Sequence, residues 1–163
     1  MNIGEENDMV KKHFSERETF LSKEVGFTYT TEELTATKEY LDSLNVNVRE
    51  PEDIFSDDAY AKSLGLNLAG MIIPGVYLVF IAGQLDMLRG LAFNAVMVGM
   101  NDIRFLSPAY IGDRLVLQGE LITKRETSKG HTLVTWKWML KNQNNTVVTT
   151  GVITEIFAKS LTN

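Results

Sequence analysis

The hydrophobic rhythm of the chain changes about halfway along. In the second half apolar residues recur at alternate positions. Leu115, Leu117 and Leu121 alternate with partly polar neighbours, and Val134, Trp136, Trp138 and Leu140 alternate with Thr135 and Lys137. A period of two puts one set of side chains on one face of an extended strand, so these segments predict strands with a buried and a solvated side. Residues 147–157, rich in Val, Thr and Ile, predict another, and residues 95–105 one more that ends before Pro108. Ser128-Lys129-Gly130 and Asn142-Gln143-Asn144-Asn145 are turn sequences that join antiparallel neighbours.

The first half favours helices. Residues 25–30 (Val-Gly-Phe-Thr-Tyr-Thr) predict a short strand. Thr31 is placed to cap a helix from Glu32 to about Leu44, with Leu34, Tyr40, Leu41 and Leu44 near one face. A polar loop with Pro51 follows; then Asp57 caps a short helix that Gly65 stops. Pro74-Gly75 opens a run through Val76, Tyr77, Leu78, Val79, Phe80, Ile81, Ala82, Leu85, Met87 and Leu88 that ends at Gly90. Proline at the start and glycine at the end fit a helix. This helix is apolar nearly all round, and in a soluble protein the rest of the fold must enclose it. Helices first and strands after predict an α+β domain: one long buried helix wrapped by a curved antiparallel sheet. The domain is expected over residues 24–158. Residues 1–23 form a polar extension in which Met9, Val10, Phe14 and Phe20 suggest a weak amphipathic helix, and residues 159–163 form a tail.

Composition narrows the chemistry. A length of 163 residues suits one domain, and 44% hydrophobic with 23% charged residues argues against a disordered chain. Lys and Arg number 16 against 21 Asp and Glu, a formal net charge of −5 with no basic stripe, which is unsuited to binding nucleic acid. The absence of cysteine excludes disulfides, a thiol nucleophile and thiolate metal sites. With only His13 and His131, there is little from which to build a histidine metal site or a catalytic triad. No glycine-rich phosphate loop or metal motif is present, so neither metal nor nucleotide redox cofactor is expected. The longest apolar run, residues 71–85, is shorter than the roughly 20 residues of a membrane span. The acidic start lacks the order of a signal peptide, so a cytoplasmic protein is expected.

One stretch carries a family likeness: Arg104-Phe105-Leu106-Ser107-Pro108-Ala109-Tyr110-Ile111-Gly112-Asp113-Arg114-Leu115. It is similar to the Arg-Phe-x-x-Pro-Val-x-x-Gly-Asp-x-Leu pattern of the MaoC-like hydratases and dehydratases, which have the hotdog fold. Ala61-Lys62-Ser63-Leu64-Gly65, Met71-Ile72-Ile73-Pro74-Gly75 and the closing Lys141-Asn142-Gln143 with Val147 onwards match in order and spacing. The resemblance implies a dimeric protein that binds acyl thioesters of coenzyme A or acyl carrier protein and needs no other cofactor. It further implies addition of water to a 2-enoyl thioester, or its removal from a 3-hydroxyacyl one. By the same likeness, Gly75 and Val76, with Pro74 before them and Phe105 near, offer backbone N–H groups to the thioester carbonyl. A glycine opening a buried helix lets a carbonyl approach such free amides, and the helix dipole assists.

The family's Asp-x-Asn-Pro-x-His signature is altered. In the register that keeps its spacing, Asn45 replaces the Asp, Asn47 keeps the Asn, Val48 replaces the Pro and Glu50 stands where the His would be. A second register puts Glu50 at the Asp position and Phe55 at the His position. Pro74 stands where many relatives have a His. Three readings follow. Glu50 handles the protons alone, as a carboxylate with a raised pKa is able to do. Or the chain is a hotdog thioesterase that uses one carboxylate. Or the site is degenerate, leaving an acyl-thioester binder or a structural subunit. Plainer readings stand beside these: Glu50, Glu52, Asp53, Asp57 and Asp58 form an acidic run that is ordinary for a solvated loop, and Asn45 and Asn47 are natural loop residues. Arg104 is expected to pair with Asp102 or Asp113, Trp136 and Trp138 to pack in the core or an interface, and Met87, Met97 and Met100 to fill the interior.

Overall fold

The structure, a computed structural model, describes residues 21–44, 54–55, 57–88 and 95–159, without the side chains of residues 87 and 88. In chain order the elements are β1 (Thr28–Thr30), β2 (Leu34–Thr35), α1 (Lys38–Leu44), α2 (Asp58–Ser63), α3 (Gly75–Leu88), β3 (Ala95–Phe105), β4 (Arg114–Glu126), β5 (Thr132–Lys141) and β6 (Val147–Phe157). The strands form one antiparallel sheet in the order β1-β4-β5-β6-β3, with β2 also paired to β4. Register shifts in β3, in β4 and at the end of β5 mark bulges, which increase twist and bend the sheet around the helix. The tight turn before β5 uses Gly130 at φ 76°, and the β5–β6 turn uses Asn145 at φ 59°. In the latter, the Asn142 side-chain oxygen accepts the Asn144 and Thr146 amides.

The core lies between α3 and one face of the sheet. Leu78, Ile81, Ala82 and Leu85, spaced by three and four, are buried with Leu117, Leu121, Trp136, Trp138, Leu140 and Ile153. Glycines make room for the large rings. Tyr29, Gly119, Trp138 and Gly151 form one row across four strands. A Cβ on Gly119 would fall 2.1 Å from the Tyr29 ring, and one on Gly151 2.6 Å from the Trp138 ring. Each glycine therefore lets its neighbour's ring lie against the strand.

Several expectations need correction. The helix anticipated from Glu32 starts at Lys38: Leu34–Thr35 is drawn into the sheet against β4, and Thr37, not Thr31, caps by accepting the Tyr40 amide. Thr31 instead accepts the Leu117 amide. The apolar helix α3 is not enclosed all round by its own chain, because Val76 and Phe80 are exposed. Met97, expected inside, is exposed on β3, while Met100 does face the interior. Arg104 donates to the Ile103 carbonyl rather than pairing with Asp113, whose carboxylate is already taken by the Tyr110 amide and Gln143. The proposed N-terminal helix and Gly90 lie outside the described residues. Trp136 and Trp138 are buried in the core as anticipated, and Asp57 caps α2 through the Tyr60 amide.

Candidate functional site

The start of α3 is held from three sides. The Met71 amide donates to Asp58 Oδ1 at 2.9 Å, the Ile72 amide to the Ile54 carbonyl at 3.3 Å, and the Ile73 amide to the Ala109 carbonyl at 2.7 Å. Gly70 sits against the Asp58 carboxylate, where a Cβ would lie 2.3 Å from Oδ1. Lys62 donates to the other oxygen of Asp58, and this bond, with that of the Met71 amide, holds the Asp58 carboxyl below its usual pKa. The loop that supplies Ala109 is fixed in turn by Asp113. Its carboxylate accepts the Tyr110 amide and the Gln143 side chain, each at 2.8 Å, while Gly112 turns the chain at φ 93°. The Gly-Asp pair of the 104–115 motif is therefore a clamp that ties the helix start to the β5–β6 hairpin.

At the tip itself the Pro74 carbonyl accepts from the Tyr77 and Leu78 amides. The Gly75 and Val76 amides have no partner among the described residues, as expected for the first turn of a helix. The positive end of the helix dipole adds to their pull on an oxygen with partial negative charge. Phe105, the last residue of β3, lies on this tip: a Cβ on Gly75 would meet its ring at 2.8 Å. Despite that contact Phe105 is 55% exposed and Val76 68%. The structure thus brings together Pro74, Gly75, Val76 and Phe105 from two distant stretches of sequence. None of them carries a titratable group.

Asn45, Asn47 and Glu50 lie outside the described residues. Phe55, at the His position of the second register, is half-buried, and its neighbour Ile54 touches Ile72 two residues before Pro74. His131 serves a turn: its Nδ1 accepts the Lys159 amide, and its main chain bonds Thr127. The adjacent Thr132 pairs with Phe157, whereas Phe105 pairs with Thr149. Eight residues of β6, about 26 Å, separate the two rows, so His131 stands at the opposite end of the sheet from the helix tip.

Two features escaped the sequence reading. One is a set of buried and half-buried polar pairs on and around α3. The Tyr29 hydroxyl donates to Asp86 at 2.5 Å, the Tyr40 hydroxyl donates to Gln84, and Trp136 donates to Glu155 at 3.1 Å. Burial raises the Tyr40 pKa. Asp86 also borders a narrow, mostly apolar cavity of about 10 Å³, room for one water, with Ala82, Gly83, Met100, Leu117, Trp138 and Ile153. Gln84 and Asp86 were legible only as interruptions of an apolar run. The second feature is Thr149, fully buried, with a hydroxyl that has no hydrogen-bond partner. Leaving such a group unmet costs about 1–3 kcal/mol. Its only sequence signal is parity, since Thr149 shares its face with Ile153 and Phe157.

Comparison with solved structures places this architecture. A monoamine oxidase regulatory protein from Archaeoglobus fulgidus superposes with a TM-score of 0.73 at 23% identity, over 86% of this chain and 94% of that one. A MaoC-like dehydratase from Rhodospirillum rubrum follows at 0.72 and 16%, over 84% and 94%. The (R)-hydratase from A. caviae involved in PHA biosynthesis gives 0.69 and 17%, over 84% and 98%. The fold is the hotdog fold. At these identities the likeness is one of fold, and it agrees with the motif resemblance at residues 104–115. No protein-family model and no curated protein sequence matches the chain. Within this fold α3 is the long helix, and Pro74, Gly75, Val76 and Phe105 lie together at its start. No helix among the described residues is long and apolar enough to cross a membrane.

Proposed function

We propose that the protein is a MaoC-like hydratase or dehydratase, acting on 2-enoyl or 3-hydroxyacyl thioesters carried by coenzyme A or acyl carrier protein. The observation that carries this reading is the helix tip: two partnerless amides at the positive end of a long apolar helix, in a scaffold shared with a MaoC-like dehydratase and an (R)-hydratase. The thioester carbonyl accepts from Gly75 and Val76. Its acyl chain runs along the exposed apolar side of α3, where Val76 and Phe80 offer apolar surface.

In hydration a base takes a proton from water as the oxygen bonds to Cβ. The double-bond electrons move towards the carbonyl and form an enolate. The two amides stabilise the enolate oxygen, and a proton then returns to Cα. Preorganised donors of this kind are worth about 3–4 kcal/mol of barrier each. Glu50 is the proposed base and acid, with Asn45 and Asn47 as the partners that hold it and the water. Support comes from the chain path: Ile54, four residues after Glu50, is bonded to Ile72 beside the tip, and four extended residues span about 13 Å.

The acyl site is proposed to form between two copies. Val96, Met97 and Val98 on β3, Val76 and Phe80 on α3, and Phe105 and Leu106 are all exposed in the single chain. β3 is an edge strand, with a row of backbone groups left to pair. Antiparallel pairing of β3 with its two-fold copy satisfies that row and covers the apolar side chains.

The test is turnover of crotonyl-CoA and longer 2-enoyl-CoAs, followed by loss of the enoyl-thioester absorbance. Hydration by the wild type and its loss in Glu50→Gln support the reading; no turnover of any enoyl chain length sinks it. One observation favours a second reading, an acyl-thioester binder without chemistry: Pro74, Gly75, Val76 and Phe105 carry no acid or base, and the nearby Asp58 carboxylate is taken by Lys62 and the Met71 amide. That reading expects binding of acyl-CoA in calorimetry with neither hydration nor release of free thiol. Thiol release from saturated acyl-CoAs would instead mark a thioesterase.

A further inference from the structure

The buried hydroxyl of Thr149 stands one strand pairing away from Phe105, whose ring reaches the helix tip. Thr149 pairs directly with Phe105 on β3 and with Leu140 on β5. Directly opposed residues of an antiparallel ladder project to the same face, with Cβ atoms about 4.5–5.5 Å apart. That face is the helix side, because Leu140 is fully buried in the core and the Phe105 ring reaches Gly75. Thr149 therefore sits in the row that passes under the first turn of α3, next to the stem of the ring that covers it. Its hydroxyl is able to donate one hydrogen bond and accept others, yet makes none. Buried polar groups nearly always have partners, so one without, beside two partnerless amides, marks a place prepared for a ligand.

We propose that Thr149 is a third donor to the thioester carbonyl oxygen, and that the Phe105 ring is the gate over it. This rests on the acyl-thioester reading above. With the ring against Gly75, that residue is covered, and the Thr149 hydroxyl is buried. In the single chain Phe105 is more than half exposed, so few contacts of its own chain hold the ring in place. Rotation of the ring away from Gly75 opens the Gly75 and Val76 amides and the Thr149 hydroxyl together. The incoming carbonyl oxygen then meets donors from the helix and from β6. No bond is made or broken in this step. The hydroxyl acts in the following chemistry by holding negative charge on the oxygen.

The experiment compares wild type, Thr149→Val and Thr149→Ser. Valine keeps the shape and removes the hydroxyl; serine keeps the hydroxyl. The first readout is isotope-edited infrared spectroscopy of bound butyryl-CoA labelled with ¹³C at the carbonyl, a saturated thioester that is not hydrated. In the wild type the carbonyl stretch falls below its value in free butyryl-CoA. Thr149→Val loses part of that fall, and Thr149→Ser keeps it. The second is hydration of 2-enoyl-CoA, where Thr149→Val lowers kcat about 10²-fold and Thr149→Ser restores most of it. The third is thermal melting: Thr149→Val melts at or above wild type, since it removes an unmet polar group, whereas a merely structural threonine would lower the melting temperature. A third variant, Phe105→Ala, speeds butyryl-CoA association. A full carbonyl shift in Thr149→Val overturns the proposal, as does a loss that serine fails to restore. If the wild type binds butyryl-CoA but hydrates no enoyl thioester, the hydratase reading fails while the carbonyl stretch still decides the role of Thr149. If it binds no acyl-CoA, both fail.

Discussion

β5 and β3 are strands of 10 and 11 residues in one sheet, and their side chains meet opposite fates. β5 lies between β4 and β6, and Val134, Trp136, Trp138 and Leu140 are buried at every second position. Among the described residues β3 has a neighbour on one side only, and Val96, Met97 and Val98 are exposed in succession. The same contrast runs along α3, where Leu78, Ile81, Ala82 and Leu85 are buried but Val76 and Phe80 are not. Apolar sequence thus has two destinations in this molecule. One is a core that a single chain completes. The other is an exposed apolar surface on β3 and the outer side of α3, the face that the proposed two-copy site would cover.

The largest effect that sharpens this comparison is expected on the completed side. Trp136→Ala removes a fully buried indole and the donor to Glu155, and is expected to cost about 3–5 kcal/mol, read as a lower urea midpoint. A loss below 1 kcal/mol would mean that β5 is not the keystone of the core. Gly119→Ala comes next. Its Cβ would displace the Tyr29 ring and with it the bond to Asp86, a change of about 1–3 kcal/mol in the same assay.

On the uncovered side the signature is reversed. Val96→Lys with Val98→Lys is expected to change the stability of the isolated protomer by no more than about 0.5 kcal/mol per site, because both side chains are already solvent-exposed. The pair is nevertheless expected to convert a dimer into a monomer in sedimentation and to abolish acyl-CoA turnover. A wild type that is monomeric at micromolar concentration would break the comparison outright.

The smallest effect concerns the exposed brace of the helix tip. The Asp58 carboxyl is held below its ordinary pKa of 3.8, first by the Lys62 bond and then by the Met71 amide. A depressed folded pKa contributes stability that is present above the unfolded value and is lost as the pH falls through the folded one. Asp58→Asn is therefore expected to melt slightly lower than wild type at neutral pH, with the difference vanishing in acid below that range. Because the Asp58–Lys62 pair is exposed, the effect is small, and high salt shrinks it further.

Much of the fold was legible because the chain is locally consistent. β4 and β5 follow from alternation, β6 from its Val, Thr and Ile content, the turn at Asn142 from its composition, and α3 from its Pro-Gly start. Thr31 misled because a threonine before two glutamates is a good local cap, yet β4 offered Leu34 and Thr35 backbone partners that a helix start could not match. Of the candidate site, Pro74, Gly75, Val76 and Phe105 were legible through the motif spacing, and the structure gathers them. Thr149 was not, because a threonine in a strand is ordinary and only the absence of any partner sets it apart.

Periodicity and turn chemistry, which act between residues near in sequence, were enough to determine that this chain is an α+β domain with one long apolar helix and a run of antiparallel strands. Composition alone shows no cysteine and only two histidines with which to do chemistry. Only the tertiary structure decided which apolar residues its own core consumes and which stay on the surface, because that depends on which strand falls at the edge of the sheet. It alone decided that Phe105 lies on Gly75 and that Thr149 lies next to Phe105, since β-pairing joins residues tens of positions apart and a partnerless hydroxyl exists only relative to its neighbours in space.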